Sequence, residues 1–187
     1  MTKKRIRRRD SRNEAIAGAA ERAEQLALKD RALAAAAEGI VIADARRPDM
    51  PLIYVNSGFE RITGYAADSV LGKNCRLLQG PGTDPAAAAE IRRAIAEKRE
   101  CLAGILNYRK DGAPFWNLLS ITPVHDESHH RTHFIGVQSD ITLQKNAEEA
   151  LRQAKTERET VNRHMKQELE MAARVQRTML PPQRSAI

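Results

Sequence analysis

Aromatic side chains are nearly missing from this chain: one Trp, three Tyr and three Phe among 187 residues, 4% in all. That scarcity excludes a large interior filled with rings. With an ordinary hydrophobic fraction of 42%, much of it alanine, composition points to one modest core and long alanine-rich helices. Cysteine is just as scarce. Cys75 and Cys101 are too few for a disulfide framework, and no signal peptide precedes them, so a reduced, cytoplasmic protein is expected. No apolar run approaches the ~20 residues of a membrane span, which predicts a chain without membrane insertion. No acid–base pair or nucleophile–base arrangement is legible, so the chain itself is not expected to be an enzyme.

The net charge of +7 is unevenly placed. Lys3, Lys4, Arg5, Arg7, Arg8, Arg9 and Arg12 form a basic arm that can meet nucleic acid or an anionic membrane. It has no interleaved aromatics and no recognition helix behind it, so residues 1–12 are read as a disordered solubilising arm. Residues 13–38 read as a helix with Ile16, Ala23, Leu26 and Leu33 along one face, ended by Gly39. Strands are expected over 40–43 and 52–55, then short helices near Phe59–Ile62 and 67–71. A capped helix starts at Thr83-Asp84-Pro85 and runs to about Lys98. Three more strands follow, over 101–110, 113–125 and 132–140, the first two joined through Asp111-Gly112. The fold class is therefore α+β, an antiparallel five-stranded sheet with helices gathered on one face.

From Ile141 to Leu180 there is neither glycine nor proline. Leu151, Ala154, Val161, Met165, Leu169, Ala172, Val175 and Met179 recur at spacings of three and four, which predicts a long helix paired as a coiled coil. Arg158 and Glu168 interrupt the seam. So polar a helix has little else to bury, and a homodimer through the flanking helices is expected.

Residues 74–80, Asn-Cys-Arg-Leu-Leu-Gln-Gly, lie between Gly72 and Gly80-Pro81-Gly82 and read as one or two turns of helix between breakers. They place a thiol beside a guanidinium. One reading is a reactive thiol facing a phosphorylated ligand; the other is that Cys75 is a small core hydrophobe, as most unpaired cysteines are. The run from His125 to His133 has ligands enough for zinc or nickel, yet it falls between two strands, where a solvated hairpin is expected. Haem would want an axial histidine in the helical region, and His125, His129, His130, His133 and His164 all lie beyond it.

The stretch Gly72-Lys73-Asn74-Cys75-Arg76-Leu77-Leu78-Gln79 resembles the signature of LOV domains, the blue-light-sensing branch of the PAS fold. Pro51 to Asn56, Phe59 to Tyr65, Asn107 to Gly112, Phe115-Trp116-Asn117 and Phe134 to Gln138 fall in that family's order and spacing. The resemblance covers about Ile40 to Thr142. It implies a PAS-type sheet holding a single FMN, with Cys75 adding to flavin carbon C4a after illumination. Arg76 and Arg92 match the pair that grips the phosphate, and a planar, permanent cation suits that task. Asn74, Gln79, Asn107 and Asn117 match the amides that bond the ribityl chain and the polar ring edge. Leu78, Ile91, Leu119 and Ile121 would wall the ring. Gln138 matches the switch residue that passes the signal to the C-terminal helix. Leu77, Ala43 and Met50 depart from the residues usual in the family. The non-photochemical alternative is a redox-sensing flavin module, which leaves Cys75 without a task.

The tail from Gln167 to Pro181 resembles the helix that opens bacterial stress- and sporulation-type metal-dependent Ser/Thr phosphatase domains. The domain reading is thus an arm at 1–12, a flanking helix at 13–38, a sensor at 39–142, a signalling helix at 143–180, and a tail at 181–187 leading toward an effector.

Overall fold

A computed structural model describes residues 2–128 and 130–179. The chain divides into two compact units, Met1–Thr142 and Leu143–Ile187. The first opens with α1 (Thr2–Ala35), followed by β1 (Gly39–Asp44), β2 (Leu52–Val55), α2 (Ser57–Thr63) and α3 (Ala67–Val70). A single 3₁₀ turn (Cys75–Leu78), α4 (Pro85–Ala96), β3 (Cys101–Tyr108), β4 (Pro114–His125) and β5 (Arg131–Asp140) complete the sheet. The last element is α5 (Thr142–Met179).

The five strands pair in the order β2-β1-β5-β4-β3, every neighbour antiparallel. The first and last strands therefore lie side by side in the middle, with Gly39 opposite Gln138. Burial alternates along β3, where Cys101, Ile105 and Asn107 face inward and Leu102 stands in solvent. That is the period of a half-covered strand.

Local chemistry sets the helix ends. Asp84 accepts from Ala86 N at the start of α4, with Pro85 in its first turn, where a missing N–H costs nothing. Gly64 ends α2 at φ 72. Asn56 caps α2 by accepting from Phe59 N at 2.9 Å and also takes Ile40 N at 2.8 Å. Its amide nitrogen donates to the carbonyls of Leu33 and Glu38. One buried amide thus ties the end of α1 to β1 and α2. Gly58 allows that approach: a Cβ there would stand 2.0 Å from Glu38 O.

Two boundaries differ from the sequence reading. Residues 2–12, expected as a disordered arm, continue into α1, because Arg, Lys and Ala favour helix and only Gly18 interrupts the run. At the other end α1 stops at Ala35 instead of Glu38, where Asn56 and Arg61 engage the carbonyls of Leu33, Ala36 and Glu38. Gly39 opens β1 and is not the helix terminator.

The core has two clusters. Ala88, Ile91 and Ala94 of α4 meet Cys101, Ile105, Ile121 and Phe134 of the sheet. Val41, Leu52 and Val55 meet Phe59, Val70 and Leu78. Between β4 and β5, Asp126 accepts from Ser128 N and His130 N. Among the described residues no group of His, Cys, Asp or Glu is placed to hold a metal ion; His129 lies outside them.

In the second unit α5 is a long helix exposing Leu151, Val161, Met165, Leu169 and Val175. Residues 180–187, including the expected tail, lie outside the described residues. Among those described, no helix is long and apolar enough to cross a membrane.

Candidate functional site

Between α4, the 3₁₀ turn and the inner face of the sheet lies a cavity of about 160 Å³, an order of magnitude beyond the ~10–15 Å³ one water requires. The strands deliver their side chains to it at period two: Ile105 and Asn107 from β3, Asn117, Leu119 and Ile121 from β4, Gln138 from β5. Helix α4 adds Ala88, Ile91, Arg92 and Ile95, which follow the three-and-four spacing of one helical face. The turn adds Asn74, Cys75, Arg76 and Gln79, and the loop after β1 adds Met50. An adjoining apolar cavity of about 80 Å³ shares Met50, Asn74, Cys75, Ile95, Leu119 and Ile121, and extends to Val41, Ala43 and Phe134.

Three of the lining amides form a buried, hydrogen-bonded row. Asn117 Nδ2 donates to Asn107 Oδ1 at 2.9 Å and to Gln138 Oε1 at 3.5 Å. Gln138 is fully buried and Asn117 is 1% exposed. Asn117 Oδ1 has no hydrogen-bond partner among the described residues, although an unmatched buried acceptor typically costs ~1–3 kcal/mol. Gln138 Nε2 in turn donates to Cys75 Sγ at 3.4 Å. Burial pushes the Cys75 thiol up to about 11, with the Gln138 hydrogen bond pulling the other way. The thiol is therefore protonated at neutral pH.

The lining also carries two cations, Arg76 and Arg92. Arg76 is paired with Asp49, whose carbonyl accepts from the Asn74 side chain. On α4, Glu90 takes Arg93 and Arg99, and Arg92 has no carboxylate partner among the described residues.

The structure brings together Cys75, Gln138, Asn74, Arg76, Gln79, Ile91, Arg92, Asn107, Asn117, Leu119 and Ile121 on this one cavity. Leu78 is the exception. Expected as a wall, it is 1% exposed and lies in the cluster with Val41, Leu52 and Phe59. A 3₁₀ turn eclipses residues three apart, so Cys75 and Leu78 share one side of the turn; both pack in the same cluster, but only Cys75 also reaches the cavity. Sequence reasoning missed Ala88 and Ile105 as cavity residues, though the helical spacing from Ile91 and the strand alternation from Asn107 would have found both. It also missed Asp49, whose role depends on a loop with left-handed backbone at Asp49 and Met50, φ 63 and 47.

Residues 37–143 match the PAS domain family. The chain is 50% identical over 115 residues to phototropin-2 of Oryza sativa, covering 62% of this chain and 13% of that protein. It is 42% identical over 132 residues to a blue-light photoreceptor of Listeria monocytogenes, covering 71% and 52%. Thus the chain spans about half the length of one relative and far less of the other. Among solved structures, the LOV domain of the Erythrobacter litoralis blue-light activated histidine kinase is 45% identical. That match covers 56% of this chain and 96% of that one, with a TM-score of 0.54. From the antiparallel sheet to the cysteine turn, fold and sequence agree that the chain belongs to the PAS domain family and carries a domain of its LOV branch.

Proposed function

We propose that this chain is a cytoplasmic blue-light sensor that binds FMN in the cavity above the sheet and signals through Gln138 to α5. The observation that carries the reading is the thiol of Cys75 set 3.4 Å from Gln138 Nε2 on the wall of that cavity. The residues present fit the cofactor. Its lining holds two guanidiniums for a phosphate and a row of amides with an unsatisfied Asn117 Oδ1, and an apolar recess adjoins it. Such a set of groups suits a phosphorylated, hydroxylated chain attached to a flat ring.

Arg76 and Arg92 would hold the phosphate; Asn74, Gln79, Asn107 and Asn117 the ribityl chain and polar ring edge; Ile91, Leu119 and Ile121 the ring faces. Bound FMN supplies the blue absorption band and, once excited, the C4a carbon to which a thiol adds. Cys75 would bring Sγ and, because burial keeps it protonated, the proton, which would pass to the ring nitrogen N5 as sulfur bonds to carbon. Gln138 offers either an N–H donor or a carbonyl acceptor from the same position. With the ring nitrogen unprotonated the Gln138 amide would donate to it, and with it protonated the amide would accept, so the favoured orientation of the side chain would reverse. Gln138 lies two residues before the end of β5 and four before α5 begins, so its reorientation biases the helix that follows.

The exposed apolar positions of α5 support a homodimer through that helix. The effector beyond it is proposed to be a metal-dependent Ser/Thr phosphatase, on the tail resemblance described above.

The test is the visible spectrum of the full chain in the dark, after blue light and during recovery, beside Cys75→Ala. Reversible loss of the blue band in the wild type alone is the expected result. A bound flavin that never bleaches replaces photochemistry with redox sensing, and absence of flavin sinks the reading.

A further inference from the structure

The guanidinium of Arg76, offered above to a phosphate, already holds an acid. Asp49 Oδ1 pairs with Arg76 Nη2. The pairing is built into the loop: Asp49 sits at φ 63, a conformation that Asp and Asn tolerate better than most residues, and Asn74 anchors its carbonyl. Its neighbour Met50 lines the cavity. The carboxylate is thus held against Arg76.

We propose that Asp49 is a specificity-determining residue, a resident competing anion that reduces the preference of the cavity for a phosphorylated flavin over an unphosphorylated one. The inference rests on the flavin reading above. The two lining guanidiniums and the Asp49 carboxylate sum to a net charge of +1, against about −1.5 to −2 on a phosphate monoester at neutral pH. A phosphate must share the Arg76 fork with Asp49 or displace it, whereas a ligand ending in a hydroxyl makes no such demand. The other acids near α4 are engaged elsewhere: Glu90 holds Arg93 and Arg99, and Glu97 holds Arg99. Asp49 is the carboxylate paired with a guanidinium of the cavity lining.

The experiment titrates the full chain, stripped of flavin, with FMN and separately with riboflavin, following quenching of flavin fluorescence. Wild type is compared with Asp49→Asn, and the same substitution is made in an Arg76→Gln background. Asparagine keeps the left-handed backbone, and an unchanged riboflavin affinity verifies that the cavity is intact. Asp49→Asn is expected to tighten FMN about two- to fivefold, in line with the small energies of exposed ion pairs, and to leave riboflavin unchanged. The gain shrinks at high salt and vanishes without Arg76. Equal changes for both flavins, weaker FMN binding, no change in FMN binding, or a gain that persists without Arg76 overturns the inference and leaves flavin binding standing. If wild type binds neither flavin, the flavin reading fails and the inference falls with it.

Discussion

Gln138 and Cys75 touch across the cavity: the amide of the one donates to the sulfur of the other at 3.4 Å. Two residues 63 positions apart, one in the centre of the sheet and one on a loop turn, are held as a pair before any ligand is considered. That pairing has consequences in both directions.

For the thiol, the consequence is a shifted titration. Its ordinary value is near 9 and the folded value is about 11, so between these limits the native state holds a proton that the unfolded chain releases. Stability contributed by this group is fully present below about pH 9 and is lost as pH rises toward 11. Urea unfolding on both sides of that window, compared with Cys75→Ser, is expected to show a steeper alkaline loss in the wild type. Identical pH profiles refute this.

For the amide, the consequence is a division of labour. Gln138→Leu removes the hydrogen bond while keeping similar bulk, so bleaching at Cys75 is expected to survive and the light response of α5 to be lost. Hydrogen exchange of the α5 amides in dark and lit protein measures this. A response as large as in the wild type would show that the signal leaves by another route.

Leu78 and Leu119 separate architecture from site. Leu78→Ala empties a fully buried position and is expected to cost about 2–5 kcal/mol by denaturant unfolding, with the flavin spectrum unmoved. Leu119→Ala lines the cavity and is expected to perturb the spectrum at a smaller stability cost, since its side chain already borders open space.

The exposed seam on α5 gives a fourth expectation. Met165→Lys with Leu169→Lys places charge where two apolar residues stand 53% and 65% exposed. Sedimentation is expected to shift from dimer to monomer, because charges at such positions oppose helix pairing. An unaltered dimer would place the contact elsewhere.

Much of this was legible in the sequence for identifiable reasons. Asp84-Pro85, Asn56 and Gly64 write their helix ends in local chemistry, and alternation along β3 and β4 put Asn107 and Asn117 on one face. The resemblance carried what local rules could not: that Cys75, Arg92 and Gln138 converge on one space. Leu78 lies behind the cavity lining because it is wholly enclosed by Val41, Leu52 and Phe59, a tertiary enclosure that its sequence proximity to Cys75 does not announce. Asp49 was invisible because its partner Arg76 lies 27 residues on, reached through a loop whose left-handed backbone no propensity announces. The basic segment was misread because charge density argued for an arm while helix propensity argued, correctly for residues 2–12, for continuity.

The central pairing of β1 with β5 sets the order of assembly. Gly39 waits for Gln138, roughly 100 residues later, and contacts so distant in sequence close slowly. The hairpin of β3 and β4 forms from neighbours, but the strand that carries Phe134, Gly136 and Gln138 into the cavities is synthesised last of the five. On the ribosome, the cavity does not exist until the sheet's middle strand has emerged, and a nascent chain halted before β5 is two separate strand pairs, β1 with β2 and β3 with β4, with nothing to join them.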